Sequence, residues 1–165
     1  MKPVALIFVM TGFLMLGRSK GNACSERARL LSALCTFLRT AREGILYRSL
    51  PPDEIVLTAL RRKDLSKTPF LVSLSGEPIT PNGFAAAFRK SLEPLPLRDT
   101  ERDVLAAWGE TLGKSDRESQ IFACDEALCR LNELTRQAEE EAQKQSRMWT
   151  SLGAVGGALA VILLI

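Results

Sequence analysis

"SDRESQIFACDEALCRLNELTRQAEEEAQKQSRMWTS", residues 115–151, decides how the rest of the chain is read. From Asp116 to Ser151 no proline or glycine interrupts it. Its apolar or small positions fall at Ile121, Cys124, Leu128, Leu131, Thr135, Ala138 and Ala142, steps of three and four that line one side of an α-helix. Ser115 and Glu118 fit a capping box, in which each side chain accepts an otherwise unpaired backbone N–H, so the helix is predicted to open there. Gly113 suits the left-handed residue that ends the preceding helix. "WGETLGKSDRESQ", residues 108–120, is therefore a joint between two helices. Capping leaves Lys114, Asp116, Arg117 and Gln120 without a role, and a polar surface read by another protein is the second reading of that joint.

A matching stripe lies nearer the other end, at Leu31, Leu34, Leu38, Ala41 and Ile45. It is predicted to stop in "YRSLPPD", residues 47–53, because a residue before proline is pushed out of the helical region and two prolines follow Leu50. Two helices with this spacing are expected to pack antiparallel, in coiled-coil fashion. Residues 18–47 number 30 and residues 116–147 number 32. At ~1.5 Å per residue the arms match at about 45–48 Å. The turn regions "YRSLPPDE" and "LGKSDRESQ" are thus expected side by side, which adds Tyr47, Arg48, Asp53 and Glu54 to the polar tip.

Shorter helices are expected in between. "PPDEIVLTALRRK" has prolines and acids at its start and Arg61, Arg62 and Lys63 at its end, as the helix dipole prefers. "TPFLVSL" is a short apolar run and "SGEPITPNG" has loop chemistry, so the arrangement between Asp64 and Arg98 stays open. Asn82 is placed to cap "GFAAAFRKSL", and Thr100 with Asp103 fits a capping box for "DTERDVLAAWGETLG".

Both ends are apolar. Residues 1–17 hold one charged side chain, Lys2, and Arg18 and Lys20 follow directly. Basic residues there mark a cytoplasmic flank, so a retained anchor is favoured over a signal peptide cut near Gly21-Asn22-Ala23. Residues 148–165 carry no charge, are just long enough to span, and have Trp149 at one boundary with Lys144 and Arg147 before it. Gly153 and Gly157 form a G-x-x-x-G, which lets a neighbouring membrane helix approach closely. The expected class is all-α: long first and last helices packed antiparallel, each continuing into a membrane anchor. The divisions are 1–17 anchor, 18–147 cytoplasmic helical bundle and 148–165 anchor.

The chemistry this composition excludes is broad. There is no histidine among the 165 residues, which removes the commonest general base and metal ligand. No phosphate loop or nucleophile elbow is present, and "EEE" at 139–141 and "DE" at 125–126 read as solvated helix faces. No enzyme activity and no cofactor is expected. The 22 basic and 19 acidic residues are interspersed, unlike the basic patch of a nucleic-acid reader. Cys24, Cys35, Cys124 and Cys129 form no C-x-x-C pair and are expected as reduced thiols, with a disulfide between the first and last helices as the alternative.

The combination of "GETLGKSDRESQ" (109–120), "REGILYRSLPPDEI" (42–55) and "SLGAVGGALAVILLI" (151–165) resembles the stage III sporulation protein AB family of endospore-forming bacteria. Its most specific parts are L-G-x-S-D-R-x-x-Q, here Leu112 to Gln120, and E-I-x-Y-x-x-x-P, here departing as "EGILYRSLPP". That family is similar to the inner-membrane platform proteins of type II secretion and type IV pilus machines. The resemblance implies a subunit of a channel between mother cell and forespore, in the mother-cell membrane, beside other membrane subunits and lipid. It also implies a secretion-type ATPase partner. Two alternatives stay open: a self-assembling stalk joined through Gly153 and Gly157, and an exported, tail-anchored domain.

Overall fold

The computed structural model describes the backbone of residues 2–77, 79–80 and 83–164, and side chains for residues 24–77, 79–80, 83–149 and 151. Among these residues there are six helices and no strand: α1 Lys2–Arg48, α2 Pro52–Leu60, α3 Pro69–Ser75, α4 Phe84–Leu92, α5 Asp99–Thr111 and α6 Arg117–Leu164. The expected all-α class holds. The chain forms two compact units, one of residues 1–28 with 136–165 and one of residues 29–135.

In the unit of residues 29–135, Leu31, Leu34, Leu38 and Ala41 are fully buried and Ile45 nearly so. Cys124, Leu128, Leu131 and Thr135 of α6 are buried too, with Ile121 half-buried. Cys35 Sγ lies 3.6 Å from Thr135 Oγ1, Arg39 donates to Asn132 Oδ1 at 3.2 Å, and Arg42 grips Asp125 through two bonds of 2.6 and 3.1 Å. Positions rise along α1 as they fall along α6, so the two run antiparallel in this unit. In the unit of residues 1–28 and 136–165, Cys24 Sγ donates to Gln145 Oε1 at 2.8 Å and Arg27 to Glu141 at 3.1 Å, again antiparallel. Ala28, Ala138 and Ala142 are buried there.

Buried residues on α1 extend beyond the predicted stripe. Phe37 is fully buried, with its ring 5.5 Å from Phe70, 6.0 Å from Phe88 and 5.8 Å from Trp108. Phe84 stacks on Phe88 at 5.4 Å, and Trp108 meets both edge-on. Each such pair adds about 0.5–1.5 kcal/mol beyond its buried area. This aromatic cluster joins α1, α3, α4 and α5. A helix with neighbours on two sides buries more of its circumference than a single stripe.

The connections follow from local chemistry. Ser49 adopts φ 50° and turns the chain sharply, so that Leu50 N–H reaches Gly44 O at 3.2 Å. A Cβ on Gly44 would stand 3.2 Å from Leu50 Cδ1, which explains a glycine inside an otherwise good helix. Pro52 and Pro69 occupy first-turn positions of α2 and α3, where a missing N–H costs nothing. The run "TPFLVSL" is thereby a helix, burying Phe70, Leu71 and Leu74. Arg61, Arg62 and Lys63 fall beyond the last turn of α2, contrary to expectation, and Arg62 instead holds Asp64 at 3.2 and 3.0 Å.

Of two predicted caps, one falls outside the described residues and one is displaced. Asn82 lies outside the described residues, and Thr80 Oγ1 accepts the Gly83 N–H at 3.0 Å before α4. At α5 the box is two residues earlier than Thr100 and Asp103. Arg98 is extended (φ −77°, ψ 159°) and its N–H donates to Glu101 Oε2 at 2.8 Å. Thr100 already sits in the first turn, so it has no cap geometry to offer.

Among the described residues no helix is long and apolar enough to cross a membrane. The two segments read as anchors, 1–17 and 148–165, fall almost wholly outside the residues whose side chains are described, as do Gly153 and Gly157.

Candidate functional site

The end of the 29–135 unit where α1 stops and α6 starts holds most of the polar residues singled out from sequence. Gly113 takes φ 79°, the left-handed value expected of it. Thr111 O accepts the N–H groups of Lys114 and Ser115 at 3.2 and 3.3 Å, closing α5.

The cap of α6 is Asp116 rather than Ser115. Asp116 Oδ2 accepts the Ser119 N–H at 3.1 Å and Oδ1 accepts the Ser119 hydroxyl at 2.6 Å. The reason is electrostatic as well as geometric. A carboxylate accepts more strongly than a hydroxyl, and its charge favours the positive end of the helix. The helix therefore starts one residue later than Ser115 and Glu118 predict. The two Ser119 donors hold the Asp116 carboxyl below the usual carboxylate range.

Gln120 and Arg117 are also engaged within the chain. Gln120 Oε1 accepts the Gly113 N–H at 3.3 Å, and its Nε2 donates to Ser115 O at 2.6 Å, so one amide clasps both sides of the turn. Arg117 Nη2 donates to the main-chain carbonyl of Leu46. That carbonyl belongs to the last turn of α1, where carbonyls lack helical partners and a cation is favoured. The Arg117 contact brings the two predicted tip motifs together.

The remaining tip residues point to solvent. Tyr47 is 78% exposed, Arg48 is exposed at the last position of α1, and Lys114 is exposed in the joint. Asp53 and Glu54 are exposed in the first turn of α2. The structure thus separates the eight candidates. Asp116, Arg117 and Gln120 build the joint, and Tyr47, Arg48, Asp53, Glu54 and Lys114 are presented around it.

Sequence reading missed a neighbouring feature. Phe122 is 70% exposed on α6, beside a groove between α5 and α6. The groove narrows to a 180 Å³ hole lined by Ala107, Trp108, Ala123 and Ala127 among others. The available signal was Phe122 itself, an aromatic residue that falls off the three-four series between Ile121 and Cys124. Beneath the hole, Trp108 Nε1 donates to Cys124 Sγ at 3.0 Å, and burial pushes the Cys124 thiol up although this bond opposes it.

The hole, 180 Å³, is below the ~300–1,000 Å³ of ordinary small-molecule sites, and the open groove beside it, 440 Å³, is within that range. Among the described residues there is no group of three or more side chains able to hold a metal ion. None of the four cysteines is joined in a disulfide. Fold and site together define an all-helical protein with exposed polar residues around the α5–α6 joint and an exposed Phe122 beside a groove.

The model of the stage III sporulation protein AB family matches residues 2–165, and the chain belongs to that family. It is 26% identical over 169 residues to stage III sporulation protein AB of Bacillus subtilis (strain 168), with 99% of each chain covered. No solved structure matches. The family resemblance read from the joint and the terminal segments is therefore sound, and the protein is sporulation-related.

Proposed function

We propose that this protein is a non-enzymatic platform subunit of a secretion-like channel in the mother-cell membrane, anchored by residues 1–17 and 148–165. In this reading the joint end of the helical bundle faces the cytoplasm and docks a secretion-type ATPase. The observation that carries it is the joint: Arg117 ties α6 to the end of α1, and around that tie Tyr47, Arg48 and Lys114 stand exposed. A large exposed tyrosine among exposed charges is the composition of a binding hot spot, since tyrosine and arginine carry much interface energy. The paired ATPase supplies the nucleotide chemistry for which this chain has no motif. The lines of support for anchoring are the uncharged terminal segments and their basic flanks.

The test is capture of the ATPase from sporulating cells by full-length protein in mild detergent. Tyr47→Ala with Arg48→Ala is expected to reduce capture at least about tenfold, as loss of a hot-spot pair does, while leaving helicity unchanged. Undiminished capture by the folded variant sinks docking at this end.

A further inference from the structure

We propose that the α5–α6 face is a contact between two copies of this chain, with Phe122 of each copy seated in the alanine-lined hole of the other. The face carries a knob and a hole side by side. Phe122, 70% exposed, forms part of the groove's mouth together with Thr111, Ala123 and Glu126. The hole beside it, 180 Å³, has Thr111, Ala123 and Glu126 in its lining as well. A cavity of about 150 Å³ is enough to take a benzene ring, so the hole fits one phenyl group.

Symmetry makes a second copy the occupant. When a knob and a hole lie on one face, a two-fold axis in the plane midway between them places each knob over the partner's hole. Both insertions are then satisfied at once, with no further surface needed. The rim is polar around this apolar hole: Glu126 is paired with Arg130 at 2.8 Å, and Glu118 and Ser119 stand at the groove's mouth beside Phe122. The buried Trp108, held by its bond to Cys124, is among the residues lining the hole and is an aromatic neighbour for an incoming ring.

The proposal is tested with two differently tagged full-length copies, co-solubilised in mild detergent and co-captured at matched concentration. Phe122→Ala removes the knob and Ala107→Leu fills the hole. Both positions are exposed, and circular dichroism checks that both variants keep their helices. Each variant with itself retains no insertion, and capture is expected to fall at least about tenfold, as loss of buried phenyl groups implies. Phe122→Ala mixed with Ala107→Leu restores one insertion, the phenyl group of the second in the hole of the first. The mixture is expected to capture better than either variant alone. Wild-type copies that do not pair, variants that pair as wild type does, or a mixture no better than its components each overturn the proposal.

Discussion

Arg117, the first residue of α6, donates to the main-chain carbonyl of Leu46 in the last turn of α1. One guanidinium thereby supplies a partner to a helix end and connects two stretches of sequence 71 residues apart. Arg117→Ala is expected to lower Tm by a few degrees and to weaken partner capture, because the exposed residues around it lose their common frame. Arg117→Lys keeps the charge but not the planar fork, and should recover only part of the Tm. A Tm unchanged in both variants would show that the contact holds nothing together.

Asp116 gives the joint a defined pH response. Its folded carboxyl is held below the usual range by the Ser119 hydroxyl and N–H, so folding favours the ionised form. The stability it contributes is complete above the unfolded carboxylate value, about 4, and is lost as pH falls through the lower folded value. Asp116→Asn retains an acceptor for the cap but does not titrate. Wild type and variant should therefore converge in denaturant midpoint on the acid side and separate toward neutral pH, with wild type the more stable.

Two backbone positions test packing with opposite signs. A Cβ on Gly109 would stand 3.0 Å from Phe88 Cδ1, in the aromatic cluster, so Gly109→Ala is expected to cost about 1–3 kcal/mol by overpacking. Ser49 holds φ 50°, a conformation that costs an ordinary residue about 1–2 kcal/mol and glycine almost nothing. Ser49→Gly should stabilise by about 1 kcal/mol, partly offset by the greater freedom of glycine in the unfolded chain. Urea midpoints of the two variants read both effects.

The thiols are distinguishable by access. Cys129 is exposed, whereas Cys35 and Cys124 are buried and the Cys124 thiol is pushed up by its surroundings. A small maleimide should modify Cys129 first, and Cys35 and Cys124 only as denaturant opens the core. Mass spectrometry of the labelled peptides follows the order, and equal rates for Cys129 and Cys124 would contradict the burial of Trp108 against Cys124.

The sequence by itself determined that α1 and α6 are long, one buried stripe on each, and where their joints fall. Steps of three and four are a property of the helix, and Gly113 or Pro51 ends a helix for local reasons that need no neighbour. The precise caps were beyond it, because Ser115 and Asp116 are adjacent and both competent, and the choice turned on which acceptor Ser119 met. The tertiary structure alone decided that Phe37 sits at the centre of an aromatic cluster while Phe122 faces solvent. Both are phenylalanines on long helices, and their fates depend on which helices pack beside them, information carried by contacts distant in sequence. It likewise turned Arg117 from surplus charge into part of a joint, because its acceptor, the Leu46 carbonyl, comes into reach only when α1 and α6 meet, whereas Asp116 and Gln120 find their partners within the turn itself.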